Sequence, residues 1–215
     1  MKTILCYGDS LTYGANPVAG GARHDWADRW PHALGAGLGD GVRIVAEGLG
    51  GRTTVHDDWG ANADRNGARL LPTMLSSHSP LDMVIIMLGT NDLKPFLGRT
   101  AAEAGRGMVR LVEIVRGHYA GTRAAEPKIV LVAPPPMVET ANDDMMGHFG
   151  GSAVIEESKR FAAAYRRRAS EQGVAFFDAG TAAKADPADG VHLDAANTRA
   201  IGEGLVPLVR ELLGL

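Results

Sequence analysis

Residues 3–14 read Thr3-Ile4-Leu5-Cys6-Tyr7-Gly8-Asp9-Ser10-Leu11-Thr12-Tyr13-Gly14. An apolar, partly β-branched run ends abruptly at a glycine, an acid and a hydroxyl, as a strand buried on both faces does where it leaves a parallel sheet. Further runs repeat the pattern at Val42–Ala46, Met83–Leu88, Lys128–Ala133 and Val174–Phe177. Each is short and is closed within two residues by Gly, Pro or Asp, so each predicts a strand.

Helical patterns fill the gaps. Pro31 suits the first turn of a helix carrying Leu34 and Leu38 four residues apart. Thr100 and Glu103 form a capping-box pattern ahead of the stripe Met108, Leu111, Val112 and Val115. Asp194 is placed to cap a last helix on which Ile201, Leu205, Leu208 and Leu212 align, with Pro207 expected to kink it or restart its final turn. Residues 155–169 predict one further helix. Strands alternating with helices give a three-layer α/β domain with right-handed crossovers, spanning 1–215 as a single unit. The stretches 48–66 and 134–151 fit no regular element and are read as functional loops.

Composition excludes several classes of function. Lys and Arg total 22 against 25 Asp and Glu, a net charge of −3 without a long run of either sign. The cluster Arg166-Arg167-Arg168 fits a solvated helix face, so no nucleic-acid track is expected. Cys6 is the one cysteine, which leaves no internal disulfide and no multi-cysteine zinc site. The run ending at Tyr7 is too short for a signal-peptide core, and Met83–Leu88 is far below membrane-spanning length. A soluble, cytoplasmic protein without membrane partners is the expectation.

In an open parallel sheet, ligands bind beyond the carboxyl ends of the strands. The residues following the strands are Gly8-Asp9-Ser10-Leu11, Gly48-Leu49-Gly50-Gly51-Arg52, Gly89-Thr90-Asn91-Asp92 and, further on, Asp189-Gly190-Val191-His192. One edge thus collects a hydroxyl, glycine backbone, a side-chain amide and an Asp/His pair. Taken singly, each has an ordinary reading: Ser10 as a helix cap, Asn91-Asp92 as a turn, Asp189-Gly190 as a turn pair, His192 as a structural imidazole. Coincidence at every strand end is a poorer account than one site.

These blocks resemble those of the SGNH hydrolases, or GDSL esterases. The longer strings Gly-Asp-Ser-Leu-Thr-Tyr-Gly at 8–14, Leu-Gly-Thr-Asn-Asp at 88–92 and Asp64-Arg65-Asn66-Gly67-Ala68 look closest to the bacterial arylesterase and acyltransferase branch. The resemblance spans essentially the whole chain and implies a flavodoxin-like, three-layer fold on a five-stranded parallel sheet. It assigns Ser10 as nucleophile, His192 as general base and Asp189 as the carboxylate orienting the imidazole. It assigns the oxyanion donors to the backbone N–H groups of Ser10 and Gly51 and the amide of Asn91. Asp9, Tyr13, Lys94 and Val191 are assigned to substrate binding. Gly50 and Gly51 stand where close relatives often carry small side chains, which leaves the oxyanion backbone less rigid by sequence. There is no Gly-x-Ser-x-Gly elbow, and Ser10 lies near the amino terminus with Asp189 and His192 near the carboxyl terminus, which argues against an α/β-hydrolase fold.

The implied activity is hydrolysis of short-chain acyl esters of aryl, alkyl or sugar alcohols through an acyl-enzyme, with acyl transfer or perhydrolysis when another acceptor intercepts. The competing readings are a carbohydrate acetylesterase, a thioesterase or lysophospholipase, and a silent acyl- or glycan-binding module. No cofactor is expected. Arg52, His56, Asp57, Asp58 and the pair His24-Asp25 lack zinc-ligand spacing, so no metal is expected either. Met137, Met145, Met146 and Phe149 make the second loop apolar; it either roofs the pocket or packs against another subunit, and a homo-oligomer is expected.

Overall fold

The structure, a computed structural model, describes residues 1–18 and 22–215. Its sheet has five parallel strands, β1 Lys2–Gly8, β2 Val42–Gly48, β3 Met83–Met87, β4 Lys128–Ala133 and β5 Ala175–Asp178, in the order β2-β1-β3-β4-β5. The strands are those expected, with ends moved by one or two residues. The helices are α1 Ser10–Tyr13, α2 Trp30–Leu38, α3 Gly67–His78, α4 Ala101–Tyr119, α5 Asp143–Phe149, α6 Ser152–Ser158, α7 Phe161–Gln172 and α8 Ala195–Leu213.

The period of two along each central strand sends alternate side chains into two cores. Leu5, Tyr7, Val84, Ile86 and Leu131 face α3, α4 and α7, where Leu75, Leu111, Val112 and Tyr165 meet them. Ile4, Cys6, Ile85, Val130 and Val132 face α2 and α8, against Trp30, Leu34, Ile201 and Leu205. Full burial of each such side chain stabilises the fold by about 1.5–3 kcal/mol. Only β1, β3 and β4 are buried on both faces; the edge strands β2 and β5 are half-buried, which corrects the expectation for those two.

The capping box forms as read: Thr100 Oγ1 accepts from the Glu103 N–H, and Glu103 Oε2 accepts from the Thr100 N–H. Three local readings are corrected. The helix expected over 155–169 is broken at Lys159-Arg160 into α6 and α7, because the Ser158 hydroxyl donates to Ile155 O and accepts the Met137 N–H, ending the first segment. Stretch 134–151 contains α5, capped by Asn142 accepting from Met145 N–H and ended by Gly150 in the left-handed region. α8 runs as one element through Pro207, which sets aside a restart of its final turn; the ring removes a single N–H from the helix ladder.

Register decides where the site falls. Gly8 of β1 lies opposite Gly48 of β2 and Met87 of β3, so these three strands end level. Sequence order reverses on either side of β1, and the crevice for a ligand opens between β1 and β3. None of the described helices is long and apolar enough to cross a membrane.

Candidate active site

Ser10 is the first residue of α1, but it is not the cap. Asp9 takes that role, its Oδ1 accepting the Leu11 N–H at 2.9 Å. The Ser10 hydroxyl is thereby left to face the other end of the chain, 2.9 Å from His192 Nε2. His192 lies on a tight loop after β5. Gly190 adopts φ +79°, and a Cβ there would sit 2.6 Å from the Val138 carbonyl, so only glycine fits the turn. His192 Nδ1 is 2.6 Å from Asp189 Oδ2, while Asp189 Oδ1 accepts the N–H groups of Val191 and His192 at 2.9 and 2.8 Å. Burial alone raises the Asp189 carboxyl, but the hydrogen bond and charge of His192 and the two backbone donors outweigh it, and the net shift is downward. An ionised carboxylate only accepts, so the ring proton sits on Nδ1 and Nε2 is left to accept from Ser10. His24 steadies the same segment through Nε2, 2.7 Å from the Leu193 carbonyl.

The opposite wall is the loop after β2. Gly51 adopts φ +81°, and its N–H meets no backbone acceptor among the described residues. The looseness expected from two consecutive glycines is offset by Arg52, which is buried beneath them. Its Nη1 donates to Gly8 O at 2.7 Å and to Glu47 O, and its guanidinium stacks 4.2 Å over the Tyr7 ring. Asn91, in a 3-10 turn over Thr90–Leu93, donates from Nδ2 to Arg52 O at 3.2 Å and to Asp9 Oδ2 at 3.3 Å. One amide thus ties together the turns after β1, β2 and β3.

These contacts redefine Asp9. It is 1% exposed, fully engaged with Leu11 and Asn91, and not among the residues lining the cleft; it positions the site rather than touching substrate. The cleft, about 490 Å³, is lined by the other expected residues, Ser10, Tyr13, Gly51, Asn91, Lys94, Val191 and His192. The sequence reading had not selected Arg65, Leu49 or His148, which also line it. Arg65 stood in the quoted Asp-Arg-Asn-Gly string, but nothing local told where its side chain would go. α5 forms the roof with Met145, His148 and Phe149. Phe149 and Met137 are buried in the chain's own core, whereas Met145 and Met146 are only partly buried.

The acidic loop residues are committed to partners. Asp58 Oδ2 accepts from Lys94 Nζ and Arg65 Nη1, both at 2.8 Å. Burial would raise its carboxyl, yet the bonds and charges of these partners and the Gly60 N–H hold it at about 2. Asp57 accepts from Asn66 and Arg69.

Two carboxyls under the site shift the other way from Asp58. Burial pushes Asp9 up to about 6, and pushes Asp92, which accepts from the Thr54 N–H and hydroxyl and feels the Asp9 charge, up to about 7. The folded state retains protons there that the unfolded chain releases near pH 4, so these groups make stability fall as pH rises from about 4 to about 7. Asp92→Asn keeps the shape and removes one titration. Between pH 5.5 and 7.5 the Tm of the wild type is expected to fall relative to that of Asp92→Asn by several degrees. Equal slopes in thermal melts at the two pH values would count against a protonated Asp92.

The model of the GDSL-like lipase/acylhydrolase family matches residues 6–200. A structure of a carbohydrate acetylesterase family member from Sinorhizobium meliloti is 50% identical, covers 100% of both chains and superposes with a TM-score of 0.95. Another carbohydrate acetylesterase from the same organism is 40% identical over 99% of this chain and 100% of its own, with a TM-score of 0.93. The native aryl esterase of M. smegmatis gives the same identity, coverage and TM-score. No curated protein matched the sequence. With a family model covering nearly its whole length and a hydrogen-bonded Ser–His–Asp chain at the sheet edge, this chain belongs to the GDSL-like lipase/acylhydrolase family.

Proposed function

We propose that the chain is a serine carboxylic-ester hydrolase that cleaves short-chain acyl esters of aryl, alkyl or sugar alcohols through an acyl-enzyme. The observation that carries this is the unbroken chain from Ser10 Oγ through His192 to Asp189, opening on a cleft. Ser10 Oγ attacks the ester carbonyl carbon as its proton passes to His192 Nε2. Asp189 holds the imidazolium that forms. The negative oxygen of the tetrahedral intermediate is received by the N–H groups of Ser10 and Gly51 and by Asn91. His192 then protonates the departing alkoxide, and water repeats the sequence on the acyl-Ser10. An alcohol or hydrogen peroxide in place of that water gives acyl transfer or perhydrolysis.

The roof of Met145 and Phe149 over a cleft of this volume favours small acyl groups over the long chains of a thioesterase or lysophospholipase. The solved carbohydrate acetylesterases and the aryl esterase support both an acetylated sugar and an aryl ester as substrates. A panel of p-nitrophenyl esters graded by acyl length, run beside acetylated sugars and with chelator, tests the reading. Turnover falling steeply beyond a few carbons and insensitive to chelator is expected. Absence of turnover on every ester would leave the silent binding module as the account.

A homo-oligomer is part of the same proposal, resting on the exposed Trp26, Trp59 and Phe96. Light scattering at micromolar concentration should give a mass above one chain, and a monodisperse monomer would contradict it.

A further inference from the structure

The charge of the cleft wall is not explained by cleavage of a neutral acetyl ester. Of the 14 residues that line it, Arg65 and Lys94 are cationic and none is acidic. Both cations converge on a single oxygen, Asp58 Oδ2, which lies behind the lining, and Asp58 Oδ1 is taken by the Gly60 N–H at 3.1 Å. One negative charge therefore offsets two positive ones, and of the two cations Arg65, its side chain a quarter exposed, is the accessible one at the cleft wall.

Donors are in surplus as well. Among the described residues Arg65 donates a hydrogen bond only through Nη1, and Lys94 makes only its bond to Asp58. Lys94 is 1% exposed, so water does little to screen it. The cations also lie close to the groups that would hold an ester. The Arg65 side chain lies flat against Gly51, where a Cβ would come within 2.4 Å of Nε, and Lys94 follows Asn91 by three residues. Both therefore adjoin the groups assigned to the carbonyl oxygen. Across the cleft, burial and then the Lys94 charge lower the imidazole of His148 from its ordinary range.

We propose that this cleft selects esters bearing a carboxylate, which the free donors of Arg65 receive, with the buried Lys94 charge behind them adding attraction. An arginine fork matches a carboxylate in two parallel hydrogen bonds, and the partly desolvated wall strengthens the attraction. The proposal rests on the ester-hydrolase reading above and adds the substrate class to it. The carboxylate can belong to the acyl half or to the alcohol half of the ester.

Two matched pairs separate these sources: mono-4-nitrophenyl adipate against its methyl ester, and 4-carboxyphenyl acetate against its methyl ester. Each kcat/KM is normalised to that ester's own alkaline hydrolysis. In at least one pair the acid is expected to be favoured tenfold or more, through KM. The preference should shrink several-fold in 0.5 M NaCl and fall by about tenfold in Arg65→Met. The salt dependence of the wild type stands even if that variant folds poorly. Neutral esters turned over as well as or better than the acids, in both pairs at low salt, overturn the proposal and leave ester hydrolysis standing. No turnover of any of the four overturns both.

Discussion

Asp189→Asn is expected to lower kcat by about 10⁴-fold while leaving the fold intact. The reason lies in which atoms Asp189 faces. Its Oδ1 accepts the N–H groups of Val191 and His192, and an asparagine oxygen would keep those bonds. The asparagine NH₂ would then point at His192 Nδ1 in place of Oδ2. Two donors cannot face each other, so the ring proton moves to Nε2, where it blocks acceptance of the Ser10 proton. Steady-state kinetics beside a thermal melt check this. Turnover near that of the wild type, with the fold retained, would remove Asp189 from its assigned role.

Asn91→Ala is expected to reduce kcat by about 10²–10³-fold with a smaller change in KM, as for other lost oxyanion donors. In the free cleft the amide donates to Arg52 O and Asp9 Oδ2 at 3.2 and 3.3 Å, bonds near the long end of the ordinary range. They hold the amide in place, and the developing oxyanion, a stronger acceptor than the substrate carbonyl, competes for one of its protons. A purely tethering Asn91 makes the opposite forecast, a lowered Tm with kcat nearly unchanged. Measuring both quantities on the one variant decides.

The central strands and the order of the blocks were legible because burial on both faces leaves a continuous apolar run, and a parallel strand must stop where its chemistry begins. α5 was not, since seven residues barely complete two turns and carry no period to read; its Asn142 cap and Gly150 stop were the available signals. α3 was hidden by Pro72 inside it, which local propensity counts as a breaker. Asp9 was misassigned because its neighbour is the hydroxyl, whereas its side chain turns back to cap α1. The convergence of Lys94 and Arg65 on Asp58 joins a loop to a turn 36 residues away and is visible only once both are folded. Chemistry carried by contiguous blocks could be read; charge balance across blocks could not.

The central claim is that Ser10 is a nucleophile activated by His192, and covalent labelling tests it most directly. Intact protein treated with a fluorophosphonate should gain the mass of one adduct per chain, mapped by peptide mass spectrometry to Ser10. The adduct should vanish in Ser10→Ala and form orders of magnitude more slowly in His192→Ala. Ester hydrolysis that persists with Ser10 unlabelled, or an adduct on a different residue, would contradict the account.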